Sequence, residues 1–351
     1  MPTQLHLTEA ALPDYLRSIG VLGPGDTVSV EKAGDGNINW VRRARAASED
    51  GAEGHSTRSW IVKQARPALE RFPEYQVDTA RIVFEHRWYE AVAPFDAEGV
   101  CPAVHGFREE DRVLVLEDLG DAPRLDRLLR EGADLDAPLA TLAAFLGRVH
   151  AATRDPGWCG RFANDAMRRL HGEHIFVLPL RENDFDLAPA VAAEARRWRA
   201  DRALVAAADA AHARYLEPRG ALVHGDVQAG NVLLTGRGPK LLDAEIAHVG
   251  DPAFDVGTLL AHLALCPLAR GTRGGVASTA SALWDAYRGS HGEEGLAGFS
   301  DVTRYAGLEM MRRTLGAARV EAVATEEASL RVLSVAEGWV RHPPAAPAAL
   351  P

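Results

Sequence analysis

Four oxygen-bearing side chains are spaced through residues 221–257 in a pattern that suits phosphoryl transfer. This reaction needs one carboxylate to accept or orient the proton of the attacking hydroxyl, and oxygen ligands that hold Mg²⁺ against the phosphate. Asp226 suits the first task because it follows a short apolar run and an intervening glycine. Asn231, Asp243 and Glu245 suit the second. Asp243 and Glu245 are two residues apart and would share a face if their strand continued.

The apolar runs around these residues predict the elements that position them. ALVH at 221–224 reads as a buried strand that delivers Asp226 into a loop. NVLL at 231–234 and PKLLD at 239–243 read as two short strands joined by a turn, so that polar groups at their ends face one another. A lone His-x-Asp is usually a hydrogen-bonded turn. The complete ordered set of candidate residues, with both short strands in place, favours a site for phosphoryl transfer.

A second group of candidate residues lies nearer the N-terminus. A glycine-rich turn between two predicted strands consists of Gly34, Asp35, Gly36 and Asn37. Its backbone N–H groups suit nucleotide phosphates, although a plain hairpin turn is the alternative. Lys63 ends the next strand, RSWIVKQA, and Glu85 lies in a predicted helix over 77–93. Taken singly, Lys63 and Glu85 are more often surface charges. In this order, however, Lys63 is placed like the kinase lysine that holds nucleotide phosphates, and Glu85 like the partner that orients that lysine.

The segments HGDVQAGN and LLDAEIAHVGDPAFDVG resemble the aminoglycoside phosphotransferase and choline kinase superfamily, small-molecule relatives of protein kinases. Within it the likeness is closest to the methylthioribose kinase family, because it also covers LTEAALPDYL, NDAMRRLHGEHIFVLPLRENDFD and EMMRRTLGAARV. The resemblance implies ATP and Mg²⁺ as cofactors and a small-molecule hydroxyl as acceptor. It further implies that Arg312 and Arg313 contact a sugar. On the residues alone, a solvated arginine pair is the alternative.

The resemblance also predicts the domain organisation. The apolar strand DRVLVLEDL, residues 111–119, corresponds to the hinge between two lobes, where the backbones of Glu117 and Leu119 would pair with adenine. Residues 1–118 are then a nucleotide-binding lobe with an antiparallel sheet, residues 119–342 form a larger helical lobe, and 343–351 form a disordered tail. The predicted fold class is α+β, of the two-lobed protein-kinase-like type.

Two departures from the methylthioribose kinase pattern concern the substrate. That family typically has HGDLHTGS where this chain has HGDVQAGN, and DPEFAFYGP where it has DAEIAHVGDP. Gln228 and His248 therefore replace residues close to the reacting hydroxyl, which leaves the substrate open. Asn231 follows the broader superfamily, and its amide oxygen is a suitable metal ligand.

Composition excludes several partners. The 351-residue chain carries a formal net charge of -10, which argues against nucleic acid or an anionic membrane surface. Its three cysteines are too few and too scattered for a disulfide framework or a metal site. The N-terminus lacks signal-peptide features, and the apolar run 256–269 is interrupted by His262 and Pro267, so a cytoplasmic protein is expected. The oligomeric state stays open, with a homodimer among the alternatives.

Three other functions compete with a sugar kinase. An antibiotic or amino-alcohol phosphotransferase would use the same chemistry, and the acidic chain would suit its cationic substrate. A nucleotide-binding protein without catalysis is disfavoured because Lys63, Asp226, Asn231 and Asp243 are all present. A metal-dependent phosphatase would leave the N-terminal residues unexplained.

Overall fold

The computed structural model describes residues 5–34, 39–47, 58–68, 76–272 and 274–351. Three residues of the predicted phosphate-binding turn, Asp35, Gly36 and Asn37, lie outside these ranges. The chain divides into two compact units, the first comprising Met1–Ala91 and Cys101–Asp121 and the second Val92–Val100 and Ala122–Pro351. The lobe boundary near Leu119, inferred from the hinge pattern, stays a prediction.

The first unit contains a five-stranded antiparallel sheet with strand order β1-β2-β3-β5-β4. Its elements are α1 (Leu12–Ser18), β1 (Thr27–Lys32), β2 (Trp40–Ala47), β3 (Arg58–Gln64), α2 (Arg81–Val92), β4 (Val104–Arg108) and β5 (Val113–Glu117). Every second residue of β2 is buried, as expected for a strand with one face on a core. That core joins Trp40 and Trp60 of the sheet to Leu12 and Leu16 of α1.

The second unit is mostly helical. Its helices are α3 (Leu125–Glu131), α4 (Asp136–Ala152), α5 (Trp158–Arg161), α6 (Asp165–Gly172), α7 (Pro189–Ala200), α8 (Arg202–Leu216), α9 (Ala253–Arg270), α10 (Gly275–His291), α11 (Phe299–Leu315) and α12 (Glu326–Arg341). Its strands are β6 (Ala221–Val223), β7 (Val232–Thr235), β8 (Gly238–Leu241) and β9 (His248–Gly250). An antiparallel sheet in one unit and helices in the other confirm the α+β class.

Helix α9 is the central core helix of the second unit. It is long and apolar enough to cross a membrane by composition alone, but 89% of its residues are buried inside the fold. It packs against α11, α12 and α10. A core helix with an apolar surface on all sides is expected to be buried in this way.

Two segments differ from the expectations from sequence. The alanine- and arginine-rich pattern of residues 191–215 is typical of one long helix, but α7 and α8 are separate because the carboxylate of Asp201 caps α8, accepting hydrogen bonds from Ala203 N and Leu204 N. The tail 343–351 is ordered where disorder was expected. It contains a 3₁₀ turn at Pro347–Ala349, and Leu350 is buried, which gives the tail the apolar contact that its composition does not suggest.

Candidate active site

The predicted catalytic loop begins where β6 ends. β6 pairs antiparallel with β9, which fixes the direction in which His224, Gly225 and Asp226 leave the strand. Gly225 has a φ of +85°, and a Cβ at this position would lie 2.7 Å from the carbonyl oxygen of Ile246. Only glycine accepts both the left-handed backbone and this close approach. The glycine therefore allows the loop to pass directly over the segment that precedes β9.

The start of α9 holds the backbone of this loop. Asp255 is fully buried, and its carboxylate accepts hydrogen bonds from His224 N at 2.7 Å and Gly225 N at 2.9 Å. His150 Nε2 of α4 lies 3.2 Å from the same carboxylate. Burial raises the pKa of Asp255, but the hydrogen bond and charge of His150 outweigh this and hold the pKa below its ordinary value. Asp255 thus accepts hydrogen bonds from the catalytic loop.

Two side-chain amides orient the carboxylate of Asp226. Gln228 Nε2 and Asn231 Nδ2 each donate to Asp226 Oδ2 at 2.9 Å. Asp226 Oδ1, in contrast, is buried and has no hydrogen-bond partner, although the side chain as a whole is 14% exposed. The loop therefore fixes the carboxylate through Oδ2 and leaves Oδ1 available to accept a proton.

The hairpin of β7 and β8 brings two of the predicted metal ligands together. Its register pairs Val232 with Leu241, and Leu242 N donates to Asn231 O at 2.9 Å, so Asn231 and Asp243 lie at the same end of the hairpin. Asp243 adopts a φ of +64°, which is uncommon for a non-glycine residue and is concentrated at functional sites. The exposed Asp243 carboxylate is thus held at the exit of β8 by a special backbone conformation.

Glu245 is placed differently from the expectation. The strand ends at Leu241 and a turn follows, so the argument that Asp243 and Glu245 share a strand face is wrong. Glu245 is buried, whereas Asp243 is exposed. Among the described residues, no three His, Cys, Asp or Glu side chains cluster at metal-binding spacing. Asn231 and Asp243 supply hard oxygen ligands of the kind that bind Mg²⁺ together with phosphate oxygens.

The predicted arginine pair is buried near the catalytic loop and is not a solvated pair. Arg313 Nη2 donates to Gln228 Oε1 at 2.6 Å, and Gln228 in turn donates to Asp226. The side chains of Arg312 and Arg313 are 12% and 7% exposed. One amide therefore connects an arginine of α11 to the carboxylate of the catalytic loop.

A buried glutamate, Glu309, holds both arginines. Its carboxylate accepts from Arg313 Nε at 2.6 Å and from Arg312 Nη1 at 3.1 Å, and His262 Nε2 lies 3.4 Å away. Burial raises the pKa of Glu309, but the charges of Arg312 and Arg313 outweigh it and keep that pKa well below its ordinary value. Burial also lowers the pKa of His262. Two guanidinium groups and one carboxylate thus lie beside Asp226, whose own carboxylate balances the remaining positive charge.

In the first unit, the predicted phosphate-binding pair is formed. Lys63 Nζ and Glu85 Oε2 are 2.7 Å apart, and both side chains are buried. Gly34 has a φ of +65°, as a glycine turn requires. Glu117 ends β5, where its backbone N donates to Ala103 O at 2.8 Å. Leu119 follows that strand and is half-buried.

Sequence reasoning missed two residues close to Asp226. Glu309 has a signal, since it stands three and four residues before the arginines, the spacing of ion pairs along a helix. His171 on α6 lies in the segment NDAMRRLHGEHIFVLPLRENDFD that carries the family likeness, but no spacing in the sequence relates it to Asp226. Its Nε2 lies 3.8 Å from Asp226 Oδ1.

Comparison with solved structures identifies the fold. A choline kinase from Streptococcus pneumoniae covers 95% of this chain and 98% of its own, with a TM-score of 0.51 and 14% identity. A choline kinase from Cryptosporidium parvum covers 93% and 94%, with a TM-score of 0.54 and 11% identity. The fold is thus that of the kinase-like enzymes, and the predicted protein-kinase-like fold is confirmed.

A family model described as the phosphotransferase enzyme family matches residues 49–299. The chain therefore belongs to the phosphotransferase enzyme family. Methylthioribose kinases from Bacillus cereus (strain ATCC 10987 / NRS 248) and Bacillus thuringiensis (strain Al Hakam) are each 26% identical over 345 residues, which cover 90% of this chain and 85% of theirs.

The chain is accordingly an enzyme of kinase type that transfers a phosphoryl group to a hydroxyl group. Among kinases of the same fold, one was solved with AMP and an amicoumacin kinase with AMP-PNP and Ca²⁺. ATP and a divalent metal ion are the cofactors of this class.

Proposed function

We propose that this chain phosphorylates a hydroxyl of a small sugar-like molecule, with methylthioribose or a related 5-modified pentose as the favoured substrate. The observation that carries the proposal is the connection from Arg313 through Gln228 to Asp226, which sets a buried arginine beside the reacting carboxylate. Guanidinium forks donate several hydrogen bonds in fixed directions, which suits the hydroxyls of a neutral sugar. The similarity to methylthioribose kinases over 90% of the chain supports the same substrate class.

The proposed reaction assigns one role to each group. Asp226 Oδ1 accepts the proton of the substrate hydroxyl as its oxygen forms a bond to the γ-phosphorus, and the bond to the β–γ bridging oxygen of ATP breaks. Asn231 and Asp243 would hold Mg²⁺, which neutralises charge on the phosphates when bound. The Lys63–Glu85 pair would hold the nucleotide phosphates, and the backbones of Glu117 and Leu119 would pair with adenine. Glu245 is a weaker metal candidate because it is buried.

A cationic substrate is the competing proposal, since an aminoglycoside or amino alcohol would use the same chemistry. The charges beside Asp226 oppose it. Glu309 and Asp226 together balance the charges of Arg312 and Arg313, so these four groups leave no excess negative charge to bind a substrate ammonium group. The acidity of the whole chain is a weaker argument, because it acts through solvent over longer distances.

A substrate panel distinguishes these proposals. ADP release would be measured with Mg·ATP and, in turn, methylthioribose, ribose, choline and kanamycin, with an enzyme-free blank and a substrate-free control. We expect the highest kcat/KM for methylthioribose and a lower kcat/KM for ribose, which has a hydroxyl in place of the 5-methylthio group. A higher kcat/KM for kanamycin or choline than for either pentose would refute the sugar assignment and favour the cationic one.

A further inference from the structure

A buried histidine lies beside the oxygen of Asp226 that has no partner. His171 Nε2 is 3.8 Å from Asp226 Oδ1, which is too far for a direct hydrogen bond. The His171 side chain is only 6% exposed, yet neither of its ring nitrogens has a hydrogen-bond partner. Buried polar groups are normally hydrogen-bonded, and unsatisfied ones call for an explanation. A ring nitrogen and a carboxylate oxygen that lie 3.8 Å apart and both lack partners point to a group that contacts both.

Packing holds His171 in this position. His171 lies on the buried face of α6, together with Met167 and Arg168. A Cβ at the neighbouring Gly172 would lie 2.8 Å from His212 Nε2 of α8, so the glycine lets the end of α6 approach α8 closely. The His171 ring also meets Phe254 edge to face, with ring centroids 6.0 Å apart. A π-helical segment, Glu173–Val177, follows directly, and such segments are frequent at functional sites.

The surroundings keep the imidazole neutral. Burial lowers the pKa of His171 well below its ordinary value, and the nearby positive charge of Arg312 lowers it further. The opposing charge of Glu309 is the weaker influence, and Arg313 and His248 also act against protonation. A neutral imidazole has one N–H and one bare nitrogen. The negative carboxylate of Asp226 favours the tautomer with the hydrogen on Nε2, which faces it.

We propose that His171 is a second catalytic residue that contacts the substrate, and that the acceptor hydroxyl lies between His171 Nε2 and Asp226 Oδ1. An oxygen at about 2.8 Å from each atom spans the 3.8 Å between them. The hydroxyl donates its hydrogen to Oδ1 and accepts one from Nε2, so its second lone pair points at the γ-phosphorus. As the new O–P bond forms and the bond to the leaving ADP oxygen breaks, the proton passes to Asp226, and His171 keeps its own. This inference rests on the proposed function, because it takes Asp226 as the proton acceptor.

Three substitutions test the donor role. His171→Gln places an amide N–H near the position of Nε2, His171→Leu removes the donor at similar volume, and His171→Phe removes it but keeps a ring. The matched control is His291→Phe, since His291 is also buried, its Nε2 also lacks a hydrogen-bond partner and its ring lies against Tyr287, but none of its described contacts is with Asp226. Each purified variant would be checked by circular dichroism and assayed with methylthioribose and saturating Mg·ATP.

We expect kcat/KM for methylthioribose to fall at least fivefold in the Leu and Phe variants, the Gln variant to recover activity above the Leu variant, and KM for ATP to stay within about twofold in all three. The His291→Phe control should match wild type. A smaller loss in the Leu and Phe variants, or a Gln variant no more active than Leu, would overturn the proposal. If the His171→Phe variant does not fold, the comparison of the His171→Leu and His171→Gln variants decides the test.

A second measurement distinguishes failure of the proposed function from failure of the role of His171. If wild type phosphorylates no pentose, the sugar assignment fails, and the same variants are compared in hydrolysis of ATP by water. A water oxygen occupies the same gap, so the same fivefold loss and partial recovery by Gln are expected there. Equal hydrolysis rates in wild type and the Leu variant would overturn the role of His171 independently of the substrate.

Discussion

Asp226 is oriented by two amides on one oxygen, and its proposed role as the base concerns the substrate hydroxyl and not the nucleotide. Asp226→Asn preserves the shape of the side chain but removes the base. We therefore expect kcat to fall at least a hundredfold, within the range of about 10²–10⁴ for general acid–base catalysis. The affinity for Mg·ATP, measured by calorimetry, should stay within a few-fold. A variant that keeps more than a tenth of wild-type kcat would remove Asp226 from the role of base.

Arg313 donates hydrogen bonds from different atoms of one guanidinium group. Nε donates to Glu309 and Nη2 to Gln228, and a lysine cannot reproduce this fork. We expect Arg313→Lys to lower kcat/KM for the sugar by about 10- to 100-fold, which corresponds to about 1.4–2.8 kcal/mol. KM for ATP should not change. Wild-type kinetics in this variant would contradict the proposed connection between the arginine pair and the catalytic loop.

Asp243 is the exposed carboxylate at the exit of β8 and the main candidate for the metal. Asp243→Ala is expected to abolish activity and to weaken nucleotide binding in the presence of Mg²⁺, while binding of ATP in EDTA should change little. Calorimetric titrations with and without Mg²⁺ measure this difference. Tight Mg·ATP binding in the variant would show that the metal assignment is wrong.

At the scale of elements, the start of α9 connects the large helical core to the catalytic loop. Asp255→Ala leaves the buried His224 N and Gly225 N without acceptors, and each unsatisfied group costs about 1–3 kcal/mol. We expect the free energy of unfolding in urea to fall by about 2–5 kcal/mol. Asp255→Asn keeps one acceptor oxygen and should lose less.

A surface aspartate on α10 provides the matched control for this element. Asp285 is exposed, and its replacement by alanine should change the free energy of unfolding by no more than about 0.5 kcal/mol. If Asp255→Ala were as stable as Asp285→Ala, the hydrogen bonds to the loop would not contribute to the stability of the unit.

At the scale of the whole molecule, buried histidines make stability depend on pH. Burial lowers the pKa of His248 from 6.5 to about 4, so this imidazole binds a proton more readily when the chain is unfolded. Its contribution is complete above pH 6.5 and is lost as the pH falls towards 4, amounting to about 3 kcal/mol at 1.36 kcal/mol per pKa unit. Burial likewise lowers the pKa of His171 and His262, which adds to the same trend.

The expected result is a Tm that is steady near neutral pH and declines steadily below about pH 6.5. Circular dichroism melts over this range would measure it. His248→Asn keeps an amide for the carbonyl of Ile246, to which His248 Nδ1 is bonded at 2.7 Å, but cannot be protonated. Its Tm should decline less steeply than that of wild type. Parallel curves for the two proteins would contradict the assignment to His248.

Local patterns predicted much of the fold. The apolar residues of RSWIVKQA predicted the strand that is β3, and NVLL and PKLLD predicted the hairpin of β7 and β8. Helix ends were less well predicted, because they depend on single hydrogen bonds such as the cap of α8 by Asp201. The ordered tail also escaped prediction, since the burial of Leu350 depends on surfaces distant in sequence.

The sequence by itself predicted the candidate groups of the site. Asp226, Asn231 and Asp243 stand in an order that a short strand and one hairpin bring towards one another, and Lys63 and Glu85 were paired by their likeness to the phosphate-binding lysine of kinases and its partner glutamate. Apolar patterns and turn residues suffice for these predictions because the contacts are local or follow the order of site residues known from kinases.

Only the tertiary structure decided what surrounds that chemistry. His171 of α6 and Arg313 of α11 reach Asp226 or its neighbour Gln228 from segments that no spacing in the sequence relates to the loop of Asp226. Their positions follow from helix packing, which depends on the summed shapes of many apolar side chains and on close approaches such as that of Gly172 to α8. The candidate reacting groups can thus be recognised in short stretches of sequence. The charges around them, and the unpartnered atoms of Asp226 and His171, result from the packing of helices that are distant in sequence.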